Sequence, residues 1–319
     1  MSQYSKPYRA VADQIALLQS RGMVIDDVPK ATEYLSRLGY YRLSAYWYPF
    51  RQTTKSANGA VVVLDDFKPG TEFKWATDLY AFDKTLRLQL LDVLERIEVF
   101  VRTGVALTVG KHDPWAHREP KLLDRRFTSK NPTSGKVPHT DWLARLDDKA
   151  IGSKEEFAGH FRTKYPKSHM PIWIAVELLD FGPLSHFLAG LKWVDTNAIA
   201  TTCGVPRPDL FASWVRSLSV VRNTCAHHAR LWNKPLIDQP KLAAGGAVPL
   251  LDHLATAPHT NRRIYAACAI ARYLLLAVNP RTQWSQRLKA HMATFPTNPY
   301  VTMNTMGFPK GWESLPLWK

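Results

Sequence analysis

The feature that most constrains this chain is a long amphipathic segment at residues 72–109. Its apolar side chains recur at steps of three and four residues, which places them on one face of an α-helix. Those residues are Leu79, Phe82, Leu86, Leu90, Val93, Ile97 and Phe100. The segment therefore predicts one long helix that must bury this face against other elements, with Gly110 able to end it.

The opposite face of this predicted helix is charged. It carries Lys84, Arg87, Glu95, Glu98 and Arg102. Glu98 and Arg102 are four residues apart, so their side chains are neighbours on a helix, and such a pair contributes only a few tenths of a kcal/mol. We interpret this face as exposed to solvent.

Helical periodicity continues through most of the remaining chain. It predicts a helix over residues 8–20 and a second that starts near Asp27, has Pro29 in its first turn and stops before Gly39. Further helices are predicted at residues 141–151, 154–164, 172–179, 184–191, 209–230, 260–278 and 282–295. The predicted fold class is therefore mainly α.

Two segments lack this periodicity. The apolar run at residues 61–64, followed by Lys68, Pro69 and Gly70, predicts a minor β-hairpin within a loop. Residues 112–139 contain four prolines and six Lys or Arg residues. We interpret this segment, with boundaries near 111–140, as a mobile basic loop that either contacts phosphate groups or is a solvated insertion without function.

The excess of basic over acidic residues limits the kinds of molecule that the protein is expected to bind. The 319 residues include 42 Lys and Arg against 27 Asp and Glu, a net charge of +15. Such an excess favours nucleic acid or an anionic membrane surface, although some proteins are basic without either partner. The apolar stretch at residues 264–278 is too short to span a bilayer, and the first 21 residues lack a signal peptide's apolar core. We therefore expect a soluble, cytoplasmic protein that does not bind membranes.

The segment whose side chains are best suited to catalysis is Arg222-Asn223-Thr224-Cys225-Ala226-His227. If one helix covers residues 210–230, Val220, Asn223, His227 and Arg230 share a stripe, and Asn223 can hydrogen-bond to His227. Arg222 lies off this stripe, but its long side chain can reach the same cleft. Further phosphate contacts are expected from His228, Arg230, Arg216, Arg125 and Arg126.

RNA cleavage suits these side chains. RNA carries its own nucleophile, the 2′-hydroxyl, next to the scissile phosphate. A histidine supplies general acid–base catalysis near neutral pH, and an arginine stabilises charge on the phosphoryl oxygens. The scheme needs no metal ion or other cofactor. One motif supplies one histidine, so two copies across a two-fold axis would provide separate acid and base, which predicts a homodimer.

Alternatives remain open for this segment. An Arg and a His five residues apart often occur by chance, and a buried, hydrogen-bonded His227 would be structural. His228 is the functional histidine in a third interpretation. Cys225, His227 and His228 could suggest zinc, but no second pair of ligands lies at a suitable spacing, and the three cysteines are too scattered for a disulfide framework.

Residues 222–233 resemble the signature of the Abi (AbiD/AbiF-like) abortive-infection family, which belongs to the HEPN superfamily of α-helical ribonucleases and RNA-binding proteins. Matching blocks occur in the same order along nearly the whole chain, at residues 38–50, 94–102, 171–185 and 306–312. Ala45 stands where the family pattern has Gly. The resemblance implies a HEPN-type helical bundle, a metal-independent endoribonuclease that acts as a dimer, and Arg222 and His227 as the catalytic pair with Asn223 as their polar companion.

The sequence thus predicts three regions: an N-terminal helical and aromatic region packed on the core (1–70), a HEPN-like helical domain (71–295) and a C-terminal tail (296–319). The leading functional hypothesis is an anti-phage endoribonuclease. The alternative is a non-catalytic RNA-binding module, or a toxin regulated by a small partner RNA.

Overall fold

A computed structural model describes residues 7–256 and 260–319. In these residues the fold comprises fourteen α-helices and one two-stranded antiparallel sheet, which confirms the mainly α class with a minor hairpin. The helices are α1 (Val11–Ser20), α2 (Val28–Leu38), α3 (Tyr40–Trp47), α4 (Phe73–Gly110), α5 (Arg125–Thr128), α6 (Pro138–Gly152), α7 (Glu156–Lys164), α8 (Ile172–Ala175), α9 (Phe181–Ala189), α10 (Trp193–Thr202), α11 (Pro208–Ala226), α12 (His253–Thr256), α13 (Ile264–Val278) and α14 (Trp284–Met292).

The chain divides into two compact units. The smaller extends to Leu86 and includes Leu288–Thr305, and the larger comprises Arg87–Arg287 and Met306–Lys319. Every residue proposed from the sequence as a functional residue belongs to the larger unit. The division into regions 1–70, 71–295 and 296–319 stays a prediction.

In the smaller unit, α2 has the boundaries that its sequence predicts. The Asp27 carboxylate accepts a hydrogen bond from the backbone N–H of Lys30 at 2.9 Å, and Gly39 ends the helix with a φ of 83°. Strands β1 (Arg51–Lys55) and β2 (Val61–Phe67) form the expected hairpin. The aromatic run before it forms α3, which the periodicity does not reveal because apolar residues occur on several sides of the helix.

The long helix α4 is confirmed, but the exposed character of its charged face is not. Lys84 and Glu95 are exposed, whereas Arg87 and Glu98 are only 4% and 9% exposed. A charged side chain is stable in such a place only when it is paired. The interpretation of Glu98 as part of a solvated face was therefore wrong, and its partners are described below.

The basic segment is folded over much of its length. It contains short 3-10 turns at Ala116–Arg118 and Pro120–Leu122, followed by α5. Arg118 makes two hydrogen bonds of 2.8 Å to the Asp147 carboxylate of α6. This part is therefore not a loop without regular structure, because a paired arginine and the buried Ala116, Leu123 and Phe127 hold it in place. Its predicted mobility stays a prediction.

Helix α13 lies at the core of the larger unit, and the end of the chain packs on it. Arg272 donates from Nε to the Leu317 carbonyl at 3.2 Å, and the Trp318 indole N–H donates to the Tyr265 hydroxyl at 3.2 Å. Within residues 7–256 and 260–319, the helices are all too short or too polar to cross a membrane.

His117 of the larger unit is unusual because its polar ring is fully buried. Neither of its ring nitrogens has a hydrogen-bond partner among the described residues. Burial, helped by the positive charge of Arg118, lowers the pKa of His117 from 6.5 to about 3. Between these values the unfolded chain binds a proton that the folded chain does not, so stability falls as the pH decreases from about 6.5 to about 3.

We expect His117→Leu to reduce this pH dependence. The wild-type free energy of unfolding should decrease by up to about 1.4 kcal/mol per pH unit because of this one group. Urea unfolding of both proteins over pH 3 to 7 measures the difference, and the other histidines contribute equally to both curves. Parallel curves would show that His117 titrates normally in the folded chain.

Candidate functional site

Helix α11 carries the motif and ends before the motif does. Pro208 occupies its first turn and Ala226 is its last residue. Beyond it, the N–H of His228 donates to the Cys225 carbonyl at 3.0 Å, and the N–H of Ala229 donates to the Thr224 carbonyl at 3.1 Å. This is a Schellman motif, in which His228 takes the left-handed position with a φ of 55°. The predicted continuation of the helix to residue 230 was wrong.

The helix end changes the arrangement of the predicted stripe. His227 is the C-cap, and its N–H donates to the Asn223 carbonyl at 3.0 Å. The side chains of His227 and His228 are both exposed. Arg230 lies beyond the helix and is therefore not on the stripe. The interpretation of His227 as a buried structural histidine is excluded by its exposure.

Arg222 is held by a carboxylate from another helix. Its Nε donates to Glu98 Oε2 at 3.2 Å, and its Nη2 lies 3.1 and 3.0 Å from Oε1 and Oε2. The two side chains are 23% and 11% exposed. A two-pronged pair of this kind fixes both the position and the plane of the guanidinium.

The same carboxylate also binds Arg102. Arg102 Nη2 donates to Glu98 Oε1 at 3.0 Å and to the Leu179 carbonyl at 2.9 Å. Two guanidinium groups therefore share one buried carboxylate, and the more exposed carboxylate of Glu177 lies 3.8 Å from Arg102 Nη1.

Asn223 contacts Arg222 rather than His227. Its side-chain oxygen accepts a hydrogen bond from Arg222 Nη1 at 3.2 Å. The hydrogen bond predicted between the Asn223 and His227 side chains is not formed within the described part of the chain. The structure thus brings Arg222 and Asn223 together and places His227 at the adjacent helix end.

The other basic residues predicted to contact phosphate are dispersed. Arg216 lies on α11 and donates from Nε to Asp238 Oδ2 at 2.8 Å. Arg125 and Arg126 are exposed on α5, with Arg126 3.3 Å from Asp124. Arg216 and Asn223 line one groove, and Arg126 lines an adjoining cavity.

Glu98 is the site residue that sequence reasoning missed. It follows Leu94 by four residues and precedes Val101 by three, and both of these are fully buried. Glu98 therefore shares their helix face. A charged residue at such a position predicts a buried partner of opposite charge, which was the available signal.

The zinc alternative gains no support from the arrangement of the motif. Cys225 is buried, whereas His227 and His228 are exposed. Over the described ranges, no three His, Cys, Asp or Glu side chains lie close enough together to hold a metal ion.

A family model described as Abi-like protein matches residues 33–233. The matched region covers more than half of the chain and contains Glu98, Arg102, Arg222, Asn223 and His227. No curated protein and no solved structure matches the chain.

The substitution Glu98→Gln tests how much the fold depends on the shared carboxylate. It keeps the shape of the side chain but leaves two guanidinium groups without their common counterion. We expect the free energy of unfolding to fall by about 3 kcal/mol. Glu95→Gln, an exposed position on the same helix, should change it by less than about 0.5 kcal/mol. Urea unfolding at neutral pH compares them, and equal effects would contradict a buried pair.

Proposed function

This chain belongs to the Abi-like protein family, and we propose that it acts in abortive infection by cutting RNA without a metal ion. Family membership supports abortive infection in general. The proposal of RNA cleavage is carried by one observation: a fixed guanidinium, Arg222, lies beside Asn223 and near the helix end that exposes His227.

In the proposed reaction, the 2′-hydroxyl of the substrate attacks the adjacent phosphorus. A base removes the proton of the 2′-hydroxyl, and an acid gives a proton to the departing 5′-oxygen. The products are a 2′,3′-cyclic phosphate and a 5′-hydroxyl end. His227 is the acid–base group in this scheme, because it is an exposed imidazole and can reach a bound substrate.

Arg222 supplies positive charge that is already in position before the substrate binds. Glu98 holds Nε and Nη2, and Asn223 holds Nη1, so the guanidinium does not have to be ordered during the reaction. In this scheme the fixed guanidinium of Arg222 stabilises the phosphoryl oxygens as they become more negative.

We propose that two protomers form the complete site. A single motif offers one His227, whereas in-line displacement benefits from an acid and a base on opposite sides of the phosphorus. The exposed helix end that carries His227 leaves room for the same residue of a second chain. His228 lies on the same exposed turn and is the alternative second group.

A second function is favoured by the geometry of Arg222. Glu98 occupies the edge of the guanidinium that would otherwise form a two-pronged pair with a phosphate. In a non-catalytic RNA-binding module, the motif would stabilise the helix end and RNA would bind to other basic side chains. Such a protein binds RNA in a salt-sensitive manner and does not cleave it.

The substitution His227→Ala separates the two functions. We expect wild-type protein to cleave single-stranded RNA in EDTA, and His227→Ala to lose about 100-fold or more of the rate, the usual contribution of a general acid–base group. His160→Ala is the matched control, since His160 is an exposed histidine on α7 outside the motif. His228→Ala reports whether the neighbouring ring takes part.

Gel analysis of labelled RNA measures the rates, and the chemistry of the new ends identifies the reaction. Cyclic phosphate ends support attack by the 2′-hydroxyl. Loss of wild-type cleavage in EDTA, or equal rates for His227→Ala and His160→Ala, would refute the proposed mechanism.

A further inference from the structure

An open groove of about 430 Å³ lies beside the motif in the larger unit. One wall is a face of α11 that runs from Arg216 through Val220 to Asn223, residues spaced by four and three. Side chains of α6 and α9 form the other walls, together with the end of the basic segment. The groove therefore leads directly to the asparagine that contacts Arg222.

The groove carries excess positive charge. Its basic side chains are Lys136, Arg145 and Arg216, and its one carboxylate is Asp141. Arg216 is paired with Asp238 at 2.8 Å. Lys136 and Arg145 are exposed, and neither has a carboxylate partner in the part of the chain that the structure describes. Two cations without an ion-pair partner thus face the same groove, and with Asp141 counted against them one positive charge remains in excess, which attracts a polyanion.

At its Arg216 end, away from Asn223, the positive groove continues towards α5. An adjoining cavity of about 370 Å³ is lined by Arg126, and it shares Arg216 and His186 with the groove. Burial, followed by the nearby charges of Arg216 and Arg145, lowers the pKa of His186, so that its ring is neutral at neutral pH. Its contribution is a hydrogen-bonding group between the cations.

The rings in the groove are not available for stacking on bases. Trp142 is buried, stacks on Phe187 at 4.4 Å and donates its indole N–H to the Pro183 carbonyl at 3.0 Å. The Phe127 ring is also buried. A ligand therefore meets cationic side chains rather than exposed aromatic faces, which favours contact with a phosphate backbone over contact with bases.

We propose that this groove binds the sugar–phosphate backbone of one RNA strand and guides it to Asn223 and Arg222. The inference rests on the proposed function and names the surface that holds its substrate. Arg216 and Asn223 are seven residues apart on α11, about 10 Å along the helix axis, which is the length of about three stacked nucleotides at ~3.4 Å each. Binding by this surface depends on salt and is largely independent of sequence.

The test compares two double variants with equal losses of charge. Lys136→Gln with Arg145→Gln removes the two unpaired cations of the groove. Lys154→Gln with Arg281→Gln removes one exposed lysine and one exposed arginine that do not line it. Both are made in a His227→Ala background, which keeps the RNA intact. Fluorescence anisotropy with a short, unstructured, fluorescein-labelled RNA measures Kd at several salt concentrations.

We expect the groove variant to bind more weakly and with a shallower salt dependence. The slope of log K against log salt should decrease by about 1.4, that is, about 0.7 for each lost phosphate contact on a single strand. The control pair should keep the wild-type slope within about 0.3. Equal Kd values and slopes for the two double variants would overturn the proposal. So would the absence of RNA binding by the His227→Ala protein, in which the groove residues are unchanged.

The catalytic proposal is tested separately by the same variants with His227 restored. If RNA binds through the groove but no variant cleaves it, the groove is supported and the RNA-cleaving function fails. If the protein cleaves RNA, the groove variant should have a raised KM with kcat unchanged within about twofold, because the lost contacts only position the strand. A fall in kcat with an unchanged KM would overturn the role of the groove as a binding surface.

Discussion

The carboxylate of Glu98 is the constraint on which the rest of the site depends. It comes from the long helix α4 and binds two guanidinium groups, one from its own helix and one from α11. A buried carboxylate is stable only with such partners, and each arginine in turn needs the carboxylate. The interaction therefore fixes the rotation of α11 relative to α4, and with it the direction in which Asn223 points.

The helix end completes this arrangement. A histidine with a φ of 55° at the position where glycine is preferred costs conformational free energy, about 1 kcal/mol for a left-handed residue. The Schellman hydrogen bonds offset that cost and stop the helix one residue before His227. As a result, the motif has a buried half, anchored through Arg222, and an exposed half that carries two imidazole rings.

The sequence predicted those features of the fold and the candidate site that arise from local patterns. The periodicity of α4 and the cap of α2 follow from residues close in the chain, so both could be recognised. The pairing of Glu98 with Arg222 joins residues 124 positions apart, and no local pattern encodes it. The end of α11 was missed for another reason: His228 gives none of the usual signals of a helix end, because glycine or asparagine is expected there.

The net charge of +15 does not by itself locate a binding surface, because paired and unpaired cations act differently. Arg102, Arg118 and Arg222 are bound to carboxylates and act mainly within the fold. Their charges are already partly neutralised, so they attract a distant polyanion weakly. Lys136 and Arg145 are exposed without such partners, and their field reaches into solvent. It follows that different cations have different proposed roles. Lys136 and Arg145 attract the RNA in the groove, whereas Arg222 acts on its phosphate beside Asn223, where the groove ends.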